Sequence, residues 1–503
     1  MKTETSAPAP TLVQRALSGH ASIGLLAGAL IYILCVSGML VVVHERWQRW
    51  EEPRAVETPT IAPAAVQRGL EAVLASEAGK PKTTHLYVHI PTDGLPRTVV
   101  TTDTGASYID GQGTIAAPEA HAWTEFVTNL HIYLHLPQIL GLIVVGIFGV
   151  MLATLTITGI VAHPRIFRDA FRLRARGGRQ LAQADWHNRL GVWTLPFALA
   201  IALTGAFIGL GSVGFTLISN AYHGGDLERT YAPIFTGDMP EPTPDPRSAP
   251  APNVAAALTT MAARFPELRP TYVVVHEPLT RSQHVQIIAT HPRRLIYGEN
   301  YMFDAAGSFT GITGLSQGSV GRQIAASTYG LHFGSFGGLA VELAYIAIGL
   351  AMSVVTGTGM SIWLQKRRRR GAASPRLEAL WSVTVWGVPI LFVAAYWLRA
   401  LGGPEMPLAL AFWAGLGAAA VAAMIWPARA DPRALRIGLG AMLILTSIGH
   451  AVLAASPLPD AVAINLALAA SGLLILAIDA PALLRARRSA PAQNPVAAGL
   501  PAE

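Results

Sequence analysis

Residues 20–43 read HASIGLLAGALIYILCVSGMLVVV, and residues 187–210 read HNRLGVWTLPFALAIALTGAFIGL. Each opens on His-x-x-x-Gly, continues as an apolar run, and places a hydroxyl-glycine pair, Ser37-Gly38 or Thr204-Gly205, with its glycine 18 residues after the histidine. A run of about 20 uncharged residues crosses roughly 30 Å of hydrocarbon as helix. The first run is too long for a cleaved signal peptide, and His44-Glu-Arg-Trp47 follows it rather than a small-residue cleavage site. Both stretches therefore read as membrane helices, and as two copies of one element.

The rest of the chain carries the same signature. Apolar windows lie at 21–43, 139–162, 190–213, 334–364, 380–398, 407–426, 435–454 and 462–483, so the fold class is an α-helical integral membrane protein of about eight spans. Composition agrees, with 51% hydrophobic and 13% charged residues and a mean hydropathy of +0.41 over 503 residues. The net charge of +7 sits in short clusters beside apolar runs rather than along a nucleic-acid-binding face, so nucleic acid is not expected as a partner. Those clusters, Arg165–Arg179, Lys366–Arg370, Arg429–Arg436 and Arg485–Arg488, fall on one side and mark it as cytoplasmic. Both termini, 1–20 and 485–503, then lie inside a bacterial inner membrane, with basic cytoplasmic loops at 163–188 and 365–379. Segments 44–130 and 214–331 face the periplasm.

Each outer segment shows an alanine-rich helix, 62–76 or 253–264, followed by alternating strand-like runs. Those runs are 84–90, 98–102 and 107–110 in the first segment, and 271–276, 284–290 and 300–304 in the second. Two small α+β modules are expected. The repeat continues through the next helices, 131–162 and 332–364, introduced by Leu130-His131 and Leu331-His332 and ending in Thr158-Gly159 and Thr356-Gly-Thr-Gly359. The chain from 15 to 365 is thus a duplicated unit of helix, outer module and helix, related by a pseudo-two-fold axis along the membrane normal. Residues 380–484 add four helices with Trp381, Trp386, Trp397, Trp413 and Trp426 near their ends, as an interfacial aromatic belt would.

The duplication places one histidine near the start of each of four helices: His20 and His187 at the inner face, His131 and His332 at the outer. Imidazole ligates haem iron, and bundles build cofactor sites from facing helices. The only cysteine is Cys35, so covalent c-type haem and iron-sulfur ligation are excluded. Two b haems follow as an expectation, each with two axial histidines, stacked across the membrane with irons about 20 Å apart. Gly24 and Gly191, one turn beyond His20 and His187, would let a flat macrocycle approach the backbone, or would serve helix packing.

Other readings stay open at this stage. His135, four residues after His131, shares its helix face, while His44 and His163 lie at workable depths without counterparts in the other half. His85, His89, His276, His284 and His291 belong to the outer modules, as solvated strand residues or as contacts to a metal-bearing substrate. Glu342 is an ionisable group within a span, either functional or bonded to a neighbouring helix. Gly209-Leu-Gly-Ser-Val-Gly214 matches a dinucleotide fingerprint but ends a membrane helix with no strand before it. His450 is the one histidine of the last four helices.

These features, the His-x-x-x-Gly openings, the Leu-His pairs, the Ser/Thr-Gly helix ends and the paired outer modules, resemble the PepSY-associated transmembrane family over about residues 12–370. That family includes iron-regulated inner-membrane proteins and ferric-siderophore reductases with two b haems between four helices. The resemblance implies PepSY-like outer modules, haem ligation by His20, His131, His187 and His332, and one-electron reduction of a periplasmic ferric siderophore or other Fe(III) chelate. The electron donor, cytoplasmic or quinol, is not implied, and the four additional helices depart from the minimal pattern. Arg281, Arg293, Arg294 and Arg322 would attract an anionic chelate. Two rivals are a haem-free scaffold or sensor whose modules bind peptide or protein, and a transition-metal transporter.

Overall fold

The computed structural model describes residues 9–168, 170–171, 179–227, 229–230, 243–291, 295–296, 298–313, 318–455 and 458–478. It contains eight helices long and apolar enough to cross a membrane: Leu12–Val41, Gln138–Ala162, Leu195–Tyr222, Gly338–Arg369, Pro375–Gly402, Leu408–Ile425, Pro432–Ala454 and Pro459–Ala477. The chain is a multi-pass membrane protein. It divides into two compact units, one of residues 1–374 with 395–413 and one of residues 375–394 with 414–503.

In the first unit, α1 (Leu12–Val41) starts at a capping box in which Gln14 N donates to Thr11 Oγ1 and Thr11 N donates to Gln14 Oε1. A short α2 (His44–Glu51) and α3 (Pro63–Ser76) follow, then β1 (His85–His89), β2 (Thr98–Thr102), β3 (Gly105–Ile109) and β4 (Ile115–Pro118). Helix α4 (Ala122–Tyr133) leads to α5 (Gln138–Ala162). The second half repeats this as α6 (Arg179–Trp193), α7 (Leu195–Tyr222), α8 (Val254–Arg264), β5 (Arg269–His276), β6 (His284–Thr290), β7 (Glu299–Phe303), β8 (Phe309–Thr313), α9 (Val320–Phe333) and α10 (Gly338–Arg369).

The two strand sets form one sheet, in the order β4-β3-β2-β1-β5-β6-β7-β8, joined through antiparallel β1 and β5 with His85 opposite His276 and His89 opposite Tyr272. Unjoined, β1 and β5 would each expose a row of unpaired N–H and C=O groups, and pairing removes both edges. One face packs Leu86, Val88, Val273, Val275, Val285 and Ile287 against Leu70 of α3 and Met261 of α8. Each such fully buried aliphatic side chain contributes about 1.5–3 kcal/mol. Strands β4 and β8 extend the sheet beyond the three runs read in each segment.

The bundle has its own punctuation. Pro196 has no N–H for the Val192 carbonyl, and the helix expected at 190–213 breaks at Thr194 into α6 and α7. Leu134 and Gly334 adopt left-handed backbone (φ 55° and 69°) and end α4 and α9 just after His131 and His332. Gly209 lies within α7, where a Cβ would stand 2.6 Å from Leu142 O and 2.7 Å from Gly146 Cα. The fingerprint-like glycines therefore let α5 and α7 touch backbone to backbone.

Helix α4 is anchored at its N-terminus by a side chain from α2. The Glu51 carboxylate accepts from Trp123 N, Thr124 N and Thr124 Oγ1, each at 2.9 Å, and lies 2.9 Å from Arg399 Nε with 1% of its side chain exposed. Burial pushes this carboxyl up, while Trp123, Thr124 and Arg399 oppose the shift. Removing one partner of a buried pair costs about 3–5 kcal/mol. Glu51→Ala is accordingly expected to lower the melting temperature of the detergent-solubilised protein, with Glu51→Gln recovering part of the loss.

Beside it, His121 Nδ1 lies 3.3 Å from Glu119 Oε1 and 3.7 Å from Glu52 Oε2. Burial opposes charge on this imidazole, but Glu52, Glu119 and Glu51 together outweigh it and raise its pKa. A raised folded-state value gives stability that is complete below the ordinary imidazole pKa of about 6.5 and lost as pH rises through the folded value. The stability gap between wild type and His121→Gln should therefore shrink as pH is raised above about 6.5, as thermal melts at several pH values would read; a gap that widens would refute the assignment.

Candidate cofactor site

The structure brings together the two histidine pairs that the repeat suggests. The rings of His20 (α1) and His187 (α6) have centroids 6.2 Å apart, and those of His131 (α4) and His332 (α9) are 6.3 Å apart. With metal–imidazole bonds of ~2 Å and a ring centre ~1 Å behind its nitrogen, two axial imidazoles on one iron hold their centres about 6 Å apart. The ring planes are nearly perpendicular in the first pair, at 87°, and inclined by 25° in the second.

All four imidazoles sit in the same kind of socket on the neighbouring helix. His131 Nδ1 is 3.1 Å from Leu34 O and 3.3 Å from Ser37 Oγ, beside Gly38. His20 Nδ1 is 3.0 Å from Leu155 O and 3.3 Å from Thr158 Oγ1, beside Gly159. His187 Nδ1 is 2.9 Å from Val355 O and 3.4 Å from Thr358 Oγ1, beside Gly359. His332 Nδ1 is 3.0 Å from Thr204 Oγ1, with Ile201 O as a further acceptor, beside Gly205. Each socket is a carbonyl at position n, a hydroxyl at n+3 and a glycine at n+4, which one helix turn presents on one face.

The socket decides the tautomer. A carbonyl can only accept, so Nδ1 carries the proton and Nε2 keeps its lone pair, the state required of an iron ligand whose other nitrogen is held by an outer partner. The glycine is needed because a Cβ would stand 2.7 Å from His131 Cε1 at Gly38, 2.9 Å from His332 Cε1 at Gly205, 3.1 Å from His187 Cε1 at Gly359 and 3.4 Å from His20 Cε1 at Gly159. By contrast a Cβ at Gly191 meets no atom within 4 Å, and one at Gly24 meets only Leu155 Cδ2 at 3.9 Å. These two glycines, one turn along from His20 and His187, therefore have open space where a side chain would stand.

Two paired imidazoles, each with Nδ1 held by a carbonyl or hydroxyl and with ring centres at the spacing of two axial ligands, fit haem. Among the described residues no three His, Cys, Asp or Glu side chains converge on a common metal position.

The remaining sequence candidates have other partners. His135 Nε2 donates to Phe126 O at 2.9 Å and its ring stacks on Phe126, outside the His131–His332 pair. His44 Nδ1 lies 3.2 Å from Val41 O, and His163 is the C-terminal cap of α5. Glu342 forms an ion pair with Arg46 of α2, 2.8 Å from its Nε, which gives the intramembrane carboxylate a structural partner. His450 is buried, with Nδ1 accepting from Asn465 Nδ2 at 3.1 Å.

On the sheet, His85, His276 and His284 stand opposite one another on β1, β5 and β6, with ring centroids 5.1 and 4.5 Å apart. His276 Nε2 donates to Gln286 Oε1, and burial with the neighbouring His284 and His85 lowers its pKa. His89 is buried and its Nδ1 donates to Arg97 O, and His291 is partly exposed. Arg281 is exposed and Arg322 partly buried, while Arg293 and Arg294 lie outside the described residues.

In the sequence the Ser/Thr-Gly pairs stand only as landmarks of the repeat. Their socket role, and the choice of Thr358-Gly359 over Thr356-Gly357, come from the packing between helices.

The chain is similar in sequence to known proteins. An uncharacterized protein of Pseudomonas aeruginosa is 28% identical over 323 residues, which covers 59% of this chain and 79% of that protein. The family description "PepSY-associated TM region" matches residues 17–366, a stretch that contains all four paired histidines and their sockets. The chain belongs to the PepSY-associated transmembrane family.

Proposed function

We propose that the protein carries electrons across a bacterial inner membrane through two b haems and reduces an Fe(III) chelate, of the siderophore class, in the periplasm. The observation that carries this reading is the pair of matched imidazole couples at 6.2 and 6.3 Å, each Nδ1 held in a carbonyl-hydroxyl-glycine socket. When bound, haem supplies a one-electron couple. The residues of the chain do the rest. His20 with His187, and His131 with His332, fix the two centres on facing helices, about 20 Å apart along α1 at 1.5 Å of rise per residue. The sockets lock ring orientation and ligand basicity, which set redox potential together with burial. The apolar helices exclude water from the path.

The arginine clusters support an orientation with the His20–His187 pair inside, the His131–His332 pair and the eight-stranded sheet outside, and both termini cytoplasmic. In the periplasm the acceptor gains one electron, Fe(III) becoming Fe(II), whose weaker chelate releases the metal. Arg281 and Arg322 are the described basic residues offered to an anionic chelate, with Arg293 and Arg294 beside them in sequence. The donor is a cytoplasmic reductant or a quinol. Paired rather than grouped histidines favour this reading over a chain of transition-metal sites.

The test is to reduce the purified protein anaerobically and mix it with ferric siderophore or ferric citrate in the presence of an Fe(II)-specific chromophore. Reoxidation of the protein with about one Fe(II) trapped per electron supports the reading. A reduced protein that ignores every Fe(III) chelate would refute iron as the acceptor.

A further inference from the structure

The first turns of α1 and the last turns of α10 line an open pocket of about 340 Å³ at the end of the bundle that carries His20. Leu17, Ala21 and Trp363 give it an apolar part, Gln14 and Ser18 are polar and uncharged, Lys366, Arg367 and Arg370 are cationic, and among the described residues no carboxylate lines it. The Arg367 guanidinium lies 5.0 Å from the centre of the Trp363 ring, and its buried Nε has no hydrogen-bond partner. Cations at a helix C-terminus are favourable in themselves, since they face the negative end of the helix dipole. That effect accounts for the charges, but not for a ligand-sized hollow beside them.

We propose that this cavity binds a phosphate group, with Arg367, Arg370 and Lys366 as its donors and the Leu17–Ala21–Trp363 wall receiving the carbon chain or ring attached to it. The forked guanidinium groups of Arg367 and Arg370 offer charge-assisted donors whose geometry suits phosphate oxygens. Two sources carry this chemistry: the headgroup of an anionic phospholipid, for which a basic pocket between membrane helices is a recurring site, and a soluble phosphate ester. The cavity lies within one turn of His20, because Leu17 and Ala21 flank that residue. An occupant therefore lies near the inner histidine pair. The binding itself does not depend on what that pair holds.

The experiment uses the full-length protein, delipidated in neutral detergent, and reads binding by native mass spectrometry and by thermal shift. The probes are phosphatidylglycerol, phosphatidylcholine, inorganic phosphate and flavin mononucleotide. The variants are Arg367→Gln/Arg370→Gln and, as a charge-matched control remote in sequence from the cavity, Arg429→Gln/Arg433→Gln. Wild type and control should bind phosphatidylglycerol and be stabilised by it, while the cavity variant binds at least about tenfold more weakly. The same pattern with flavin mononucleotide or inorganic phosphate instead would support the site and identify a soluble source. Equal binding of every probe by wild type and cavity variant, or equal weakening in cavity and control variants, would overturn the proposal.

Discussion

Replacing His187 by alanine is expected to halve the haem content of the purified protein, from about two to about one per chain, and to abolish electron transfer across the membrane. The loss is specific because each histidine couple draws on two different helices and shares no ligand with the other. His187→Ala removes one axial imidazole from the inner couple and leaves His131 and His332 in their sockets on Leu34–Gly38 and Ile201–Gly205. His332→Ala should do the reverse. The surviving centre should also be recognisable, since the imidazole planes are inclined by 87° in the inner couple and 25° in the outer, and low-spin ferric haem responds to that angle in its paramagnetic resonance spectrum. If both variants keep both haems, the ligand assignment fails. If His135→Ala, rather than His131→Ala, removes the outer haem, the assignment moves along that helix.

The second large effect comes from substitutions that touch no ligand. Gly38→Ala places a methyl 2.7 Å from His131 Cε1 and 3.2 Å from Nδ1, the atom held by Leu34 O on the same helix turn, well inside van der Waals contact. The imidazole must leave its socket, losing the proton anchor on Nδ1. Loss of such an outer partner costs about 10–100-fold in metal affinity. Gly205→Ala should act in the same way on His332, Gly359→Ala on His187 more mildly, and Gly159→Ala on His20 least, following clearances of 2.9, 3.1 and 3.4 Å. Gly191→Ala is the informative contrast. Its methyl meets no protein atom within 4 Å, so protein stability should be unchanged, and any loss of inner haem would report the macrocycle lying against that backbone. Haem stoichiometry beside a melting curve for each variant separates the two causes.

Much of this architecture is legible in the chain because a membrane helix is a local object. Twenty apolar residues name a span wherever they occur, and a repeat makes four histidines stand out from fifteen. What is not legible is the contact between elements. Nothing in Thr84–Ile90 or Thr271–His276 says that β1 and β5 pair with each other to make one sheet from two modules, since register between strands nearly 200 residues apart is set only in the folded state. Strands β4 and β8 escape notice because Ile115-Ala-Ala-Pro118 and Phe309-Thr-Gly-Ile-Thr313 are short and lack steady alternation. Leu134 and His135 turn the chain through left-handed backbone without a glycine to announce it. Glu342 is visible as an oddity within a span, but its partner Arg46 lies almost 300 residues away. The sockets combine both cases: Ser37-Gly38 and Thr204-Gly205 are visible as letters, and their purpose exists only where a second helix delivers an imidazole.

The central claim is that each histidine couple holds one b haem. The most direct measurement is the absorption spectrum of the detergent-purified protein, oxidised and dithionite-reduced, with a pyridine haemochrome assay for type and stoichiometry. The expected result is about two b haems per chain with a six-coordinate, bis-imidazole spectrum on reduction. Protein produced with ample haem and isolated without any would contradict the claim.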